Sequence, residues 1–482
     1  MGAIAAAISK KGEDTVPSVR SMLIRLKHRG TDAHGIATPN STRTANSIEQ
    51  ISTKNVRSDI ALGHNLCQIL PKDHPQPVLG ENHALVFEGR IFPPFGVSDV
   101  DAILGMLGSN PRKNARSIIK RFDGSYTFAI TCQDMVIAGR DVLGIAPLYY
   151  GENETTAAIA SERKALWLIG IEAAKSFPPG TLAVINCRGF RFKPIRTLAQ
   201  PSPNPMYMKP AARCLQTLLI ESMRRRLSDT KRAAVAFSGG LDSSIVAVLA
   251  KLCTVEVQLI TVGLKGQREL EHAKAAAKVL EIPLHLQTYT LDDVEKTLPK
   301  VLWLIEEPDV MKAEIAIPLF WTAEIAAKLD FRILLAGQGA DELFGGYQRY
   351  LKDYAAGIEV ICDSMYHDII MCHEKNFQRD NQVCSFHKVE LRLPFADREV
   401  ASFALGLPPR LKIESSEDLL RKRVLRLTAE NLGQPQSIAG RPKKAIQYAT
   451  GVNKALRRLA RVEGSTLREY VERYLQEVYP ER

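Results

Sequence analysis

Ala233-Ala234-Val235-Ala236-Phe237-Ser238-Gly239-Gly240-Leu241-Asp242-Ser243-Ser244 is the stretch on which the reading of this chain turns. Its opening apolar run, Ala233 to Phe237, does not alternate, which predicts a strand covered on both faces, as in a parallel sheet flanked by helices. Ser238, Gly239 and Gly240 end the strand, and a helix is predicted to begin near Asp242. Two glycines let backbone N–H groups close on a phosphate, and the helix N-terminus adds partial positive charge for the anion. Ser238, Ser243 and Ser244 contribute hydroxyl donors. Asp242 repels a bare phosphate, so it implies a divalent cation between carboxylate and phosphate oxygens, with Mg2+ the expected ion. No lysine follows the glycines, which excludes the G-x-x-x-x-G-K-S/T loop.

Further short buried strands are predicted at Val255–Thr261 and Ile333–Ala336, each followed by helical sequence, and from about Pro394 the pattern is mainly helical. This half reads as α/β, a parallel sheet with helices. Upstream, Gln200-Pro201-Ser202-Pro203-Asn204-Pro205 cannot sit inside a helix or a central strand and marks a boundary. Before it, Ala84–Phe87, Tyr126–Ile130 and Thr181–Ile185 predict short strands, and helical spacing recurs near Pro17–Leu26 and Val100–Leu107. That half reads as α+β with layered sheets.

Composition agrees with two such domains. At 482 residues the chain exceeds one core, given roughly 100–200 residues per domain. Hydrophobic content of 45% and charged content of 24% are those of a globular protein. Neither a long apolar run nor a basic leader with an apolar core is present, so no membrane association and a cytoplasmic location are expected. The eight cysteines form no C-x-x-C pair and are read as reduced structural thiols. Net charge is +11, and basic residues cluster at Arg224–Arg226, Arg421–Arg426 and Arg457–Arg461. Without interleaved aromatics, solvated helix faces and phosphate ligands are a better reading of these than a nucleic-acid surface.

Four motifs then give a resemblance. Ser238–Ser244 is similar to the pyrophosphate loop of the asparagine synthetase family, in which ATP is cleaved between its α- and β-phosphates. Gly337-Gln338-Gly339-Ala340-Asp341-Glu342-Leu343-Phe344-Gly345-Gly346-Tyr347, Val389-Glu390-Leu391-Arg392-Leu393-Pro394-Phe395-Ala396-Asp397 and Arg441-Pro442-Lys443 follow in the family's order. The resemblance implies that Asp242 and Asp341 hold Mg2+ on the pyrophosphate, and that Val262 and Gly337 contact adenine and ribose. Lys443 would neutralise charge in the acyl-adenylate transition state, and Glu390 would orient Lys443 or a substrate amine, unless it only pairs with Arg392. The N-terminal half resembles a class II glutamine amidotransferase of the N-terminal-nucleophile fold. Lys27-His28-Arg29-Gly30-Thr31-Asp32 looks like the family's H-R-G-P-D turn, Asp99 like its glutamine-contacting acid, and Phe122-Asp123-Gly124 and Arg140-Asp141 like its core strands. The implied architecture is an amidotransferase-like domain over residues 1–195 and a pyrophosphate-loop ATPase domain over 205–482. Aspartate with ammonia or glutamine would be the small-molecule partners, and a homodimer is suggested.

The departures are chemical. A class II glutaminase needs a cysteine after the initiator Met, and Gly2 stands there, followed by Ala3, Ile4 and Ala5. Glu88 replaces the asparagine of the oxyanion-supporting N-G-E segment, and Gly63-His64-Asn65 lacks the arginine expected for the glutamine carboxylate, which Arg90 would have to replace. Gln338 stands where asparagine-forming enzymes carry glutamate and cannot take a proton from ammonium, leaving Glu390 or Glu314 as candidate bases. The expected function is an AMP-forming amide ligase without glutaminase activity. The alternatives are the same adenylation on another carboxylate, a tRNA base or an intramolecular amide, or a non-catalytic ATP-binding protein.

Overall fold

The computed structural model describes residues 2–253, 255–442 and 445–480. The chain forms two compact units, Met1–Thr197 and Leu198–Arg482.

In the first unit the strand Gly2–Ser9, Gly-Ala-Ile-Ala-Ala-Ala-Ile-Ser, is buried along its whole length. Successive strand side chains point to opposite faces. Ala3, Ala5 and Ala7 therefore pack with Val16, Val19, Met22 and Leu23 of the helix Val16–Arg25. Ile4, Ala6 and Ile8 meet Val86, Ala129, Ala138 and Ala183 of a second sheet. On that sheet's outer face Leu85, Phe128 and Ile130 pack with Ile103, Leu107, Ile118 and Ile119 of the helices Asp99–Leu107 and Pro111–Arg121. The result is helix, seven-stranded sheet, six-stranded sheet, helix, with all strand pairs antiparallel. This is the α+β arrangement of layered sheets that the sequence predicts.

The second unit is α/β. Its five strands lie parallel in the order Leu284–Tyr289, Glu256–Leu264, Arg232–Ala236, Ile333–Leu335, Glu390–Arg392. Strand order reverses between Arg232–Ala236 and Ile333–Leu335. In open parallel sheets that is where a crevice opens beyond the carboxyl ends of the strands. The strands Leu284–Tyr289 and Glu390–Arg392 were not read from sequence, because the first is half-exposed and polar and the second is short. The proline-rich boundary segment is docked on this unit: Gln200 Nε2 donates to Asp363 at 2.6 Å and Asn204 N to the Gly406 carbonyl at 2.8 Å. No helix among the described residues is long and apolar enough to cross a membrane, and all eight cysteines are unbridged.

One buried pair fixes a turn in the first unit. Asp141 accepts backbone N–H groups from Tyr126 (3.3 Å), Leu143 (3.1 Å), Ile145 (3.0 Å) and Ala146 (3.1 Å). Arg140 donates to the carbonyls of Ala146 (2.6 Å) and Phe177 (2.8 Å). Burial pushes the Asp141 carboxyl up, against the pull of Arg140 and these N–H groups. Asp141→Ala orphans four buried donors and is expected to cost about 3 kcal/mol or more. Chemical denaturation followed by a probe in this unit measures it, and a loss below about 1 kcal/mol would contradict this accounting.

Candidate functional site

The reversal point of the parallel sheet is built by two loops. Ser238–Gly240 follows the strand Arg232–Ala236 and leads into the helix Leu241–Leu252, whose N-terminus has no side-chain cap. Its first N–H groups are therefore directed at whatever occupies the crevice. Gly239 has φ +69°, and a Cβ there would stand 2.9 Å from the Ala273 Cα, so only glycine fits. Ser243 Oγ receives the Ser238 N–H at 3.2 Å and meets Ser238 Oγ at 3.1 Å, which tightens the loop, while Ser244 lies buried beneath it. The second loop, Gly337–Gly339, follows Ile333–Leu335. A Cβ on Gly337 would come within 3.0 Å of Asp242 Cβ, so this glycine lets the two loops close on one another.

Asp242 and Asp341 meet at a lysine that was read from sequence only as part of a basic cluster. Lys422 Nζ donates to both Asp242 oxygens, at 2.8 and 2.7 Å, and stands 2.5 Å from Asp341 Oδ1. Burial alone would lower its pKa, but the two carboxylates outweigh this and raise it, holding the ammonium charged. Arg421 and Lys422 both take left-handed backbone (φ +52° and +53°), a conformation that costs non-glycine residues roughly 1–2 kcal/mol each. The turn is held by Asp418, which accepts the Leu420 and Arg421 N–H groups at 3.0 Å, and by Arg426 Nε on the Arg421 carbonyl at 2.7 Å.

A cavity of about 620 Å3 opens above these groups, a volume typical of small-ligand sites. One side is apolar, with Ile260, Val262, Leu270 and Ile446; Ser238, Asp242, Ser243, Gly337 and Asp341 line its floor. The other side carries Gln338, Glu342, Tyr347, Arg349, Asn376 and Arg379. The π-helical turn His373–Phe377 carries Asn376, and such turns are frequent at functional sites. Glu342 Oε1 accepts from Tyr347 Oη (2.5 Å) and Asn376 Nδ2 (2.8 Å). Gln338 Nε2 donates to Asp380 at 2.7 Å. Gln338, Glu342 and Tyr347 belong to the Gly337–Tyr347 motif, whereas Arg349, Asn376 and Arg379 were not read from sequence because they stand outside any local motif.

Among the described residues no group of three His, Cys, Asp or Glu side chains could hold a metal. Two carboxylates around one cation position do suit Mg2+, which is usually held by one or two carboxylates plus substrate phosphates.

Two candidate bases need correcting. Glu390 is not on the cavity: it pairs with Ile333 in the sheet register, four residues before Gly337, which is about 13 Å at the rise of a strand. Its carboxylate accepts from Arg392 Nε at 2.6 Å. Glu314 is buried, bonded to Asn453 and not among the residues lining the cavity, although its neighbours Lys312 and Ile315 are; burial pushes its carboxyl up despite that bond. Lys443 lies outside the described residues. The basic clusters also divide: Arg226 is buried against Asp397 at 2.9 Å and Lys422 is inside the site, whereas Arg457, Arg458 and Arg461 are exposed.

In the first unit the residues matched to a glutamine site are tied to one another. A Cβ on Gly2 would stand 1.9 Å from the Asn65 carbonyl oxygen. Arg29 donates to the Gly2 carbonyl (2.9 Å), to Glu88 (2.6 Å) and to Glu162 (3.1 Å), and Ser161 donates to the other Glu88 oxygen at 2.7 Å. Arg90 grips Asp73 with two nitrogens (2.8 and 3.1 Å) and lies 3.7 Å from Asp99. Burial raises the Asp73 carboxyl, but Arg90 outweighs it and holds the group below the carboxylate range. His64 is buried, which pushes it down to about 3 and keeps it neutral. The cleft between Arg90, Asp99 and His64 offers about 20 Å3, room for about one water molecule.

A sandwich with an amidotransferase-type site position, joined to a pyrophosphate-loop unit with paired carboxylates at the sheet reversal, defines a two-domain nucleotide-dependent class. The chain belongs to the asparagine synthase family, whose model matches residues 215–360 and 355–481. A glutamine amidotransferase domain model matches residues 92–167. The chain is 29% identical over 531 residues to a putative asparagine synthetase [glutamine-hydrolyzing] 1 of Methanocaldococcus jannaschii, covering 96% of each. It is 27% identical to an asparagine synthetase [glutamine-hydrolyzing] of Asparagus officinalis, over 89% of this chain and 73% of the relative. Asparagine synthetase [glutamine-hydrolyzing] 3 of Arabidopsis thaliana is 27% identical over 91% of this chain and 77% of its own length.

Two outcomes follow from this geometry. Lys422→Met leaves two adjoining carboxylates without their shared cation and is expected to destabilise the metal-free protein by about 2 kcal/mol, less than for a fully buried pair because both are about one-fifth exposed. Mg2+ alone should restore much of that loss in the variant and little in the parent, read by thermal melting with and without MgCl2. Equal melting of both proteins would show that Lys422 is no clamp. Gly2→Cys is expected to release no glutamate from glutamine, since the Asn65 carbonyl, the Glu88–Arg29 pair and the small cleft all remain. A glutaminase rate well above background would contradict that.

Proposed function

We propose that this chain is an ATP-dependent amide ligase that forms asparagine from aspartate and free ammonia through an aspartyl adenylate. The observation that carries it is the convergence of Asp242 and Asp341 on one cation position at the floor of the cavity, 2.7 and 2.5 Å from a single ammonium. The apolar side by Val262 and Leu270 would take the adenine, and the uncapped helix N-terminus with Ser238 and Ser243 would take the phosphates.

When bound, Mg2+ would neutralise the pyrophosphate and favour its departure. A substrate carboxylate oxygen attacks the α-phosphorus, the bond to the bridging oxygen breaks and pyrophosphate leaves. Ammonia then attacks the acyl carbon, AMP leaves with the acyl oxygen, and the extra proton passes from nitrogen to solvent. Lys443 is assigned by resemblance to the charge that builds on the α-phosphate, a task suited to a lysine. Ammonia is the proposed donor because Gly2 supplies no thiol to release it from glutamine.

ATP–pyrophosphate exchange across a panel of carboxylates tests this reading. Aspartate with Mg2+ should support exchange, and added ammonium chloride should yield AMP and asparagine in equal amounts. Asp242→Asn should lower exchange on the order of a hundredfold or more. Exchange with a different carboxylate would move the substrate while keeping the chemistry, and exchange with none would overturn the ligase assignment.

A further inference from the structure

Glutamine at position 338 has no basic nitrogen or carboxylate to offer an incoming amine, yet it projects into the cavity beside Gly337 and Asp341. Its amide is oriented by a group behind it. Gln338 Nε2 donates to Asp380 Oδ2 at 2.7 Å, and the other Asp380 oxygen accepts from Arg379 Nε at 2.7 Å. Arg379 is itself anchored on the Lys375 carbonyl (3.2 Å) and on Asn376 Oδ1 (3.3 Å), so the carboxylate is fixed from both sides. Asp380 is fully buried within the helix Gln378–Phe386.

Burial pushes the Asp380 carboxyl up, while the Arg379 guanidinium and the Gln338 amide pull it down and favour the carboxylate. That carboxylate only accepts hydrogen bonds, so the NH2 end of the Gln338 amide faces Asp380 and the carbonyl end faces the cavity. Among the described residues nothing donates to Gln338 Oε1. The neighbouring Glu342 Oε1 already accepts from Tyr347 and Asn376. Ammonia has three N–H donors and one lone pair. An acceptor beside it binds an N–H and leaves the lone pair for the acyl carbon, whereas a donor would engage the lone pair and oppose attack.

We propose that Asp380 is a positioning residue which, through Gln338, sets the polarity of the station that receives ammonia, so that Gln338 Oε1 accepts an N–H while the nitrogen lone pair attacks the acyl adenylate. This inference rests on the ligase reading above. The buried carboxylate at 380 supplies, one residue removed, the acceptor character that Gln338 alone leaves undetermined.

The test separates the half-reactions at constant pH. In Asp380→Asn, Arg379 retains the side-chain oxygen and the new NH2 faces Gln338, which turns the amide over and presents a donor to the cavity. KM for ammonium chloride should then rise on the order of tenfold to a hundredfold relative to any change in aspartate-dependent ATP–pyrophosphate exchange. The double variant Gln338→Glu/Asp380→Asn restores an oxygen facing the cavity and should recover most of that rise. If Asp380→Asn does not fold, Gln338→Met removes the acceptor without touching the buried charge and should raise KM for ammonium relative to exchange. A KM for ammonium that follows exchange in whichever single variant folds, or a double variant no better than Asp380→Asn, overturns the inference. Failure of the unsubstituted protein to exchange with any carboxylate would overturn the ligase reading instead.

Discussion

The Lys422 ammonium lies between two carboxylates carried by loops distant in sequence, 2.7 Å from Asp242 and 2.5 Å from Asp341. Two bare carboxylates about 4 Å apart would repel by roughly 4 kcal/mol at the effective dielectric of a protein surface. The loops after the two central strands can approach as closely as Gly337 permits only while a cation lies between them. The trio carries a net charge of −1. A divalent ion would bring it to +1 before any phosphate arrived, so a metal ion and a polyphosphate at this position would each favour the other's binding. Lys422 reaches this position from a turn with two consecutive left-handed residues, and backbone strain of that kind is kept where surrounding structure over-determines it.

The parts of this arrangement that are local in sequence could be read from it. Ala233–Ser244 holds strand, glycine turn and helix start in one stretch, and its chemistry depends on backbone amides more than on distant side chains. The αββα layering of the first unit was legible in part: strands were read at Ala84–Phe87, Tyr126–Ile130 and Thr181–Ile185, whereas Gly2–Ser9, buried on both faces and without polar alternation, was not. What could not be read is what the fold assembles from afar. Lys422 is 180 residues from Asp242, and its sequence neighbours Arg421 and Arg423 made it look like surface charge. Glu390 misled for the converse reason: it lies within a family motif, but a parallel register places it at the wrong end of its strand, as a partner of Arg392.

The first unit keeps its scaffold while its site has closed, and the packing explains how both hold together. Gly2–Ser9 contributes to two cores at once, through Ala3, Ala5 and Ala7 on one face and Ile4, Ala6 and Ile8 on the other. Gly2 itself contributes no side chain to either core, so the fold does not depend on a nucleophile at position 2. Glu88 is different, because a buried carboxylate without a partner is costly. Arg29 and Ser161 meet it at 2.6 and 2.7 Å, and Arg29 also holds the Gly2 carbonyl. The group that stabilises Glu88 therefore ties up the position from which a nucleophile would act.

Glu88 and Gln338 mark the same physical rule in the two units. A change of charge or polarity at a buried or half-buried position has to be answered by a partner within hydrogen-bond distance, and the partner then determines what the position can do. Arg29 makes Glu88 a structural carboxylate, unfit for an oxyanion hole, since its oxygens already accept. Asp380 leaves Gln338 with one end committed and the other turned to the cavity. The two outcomes differ because Glu88 is enclosed, 3% exposed, with both oxygens answered, whereas Gln338 has one end in a cavity of about 620 Å3. The closed cleft of the first unit and the open polar wall of the second thus differ in how many sides of a polar group the fold leaves exposed.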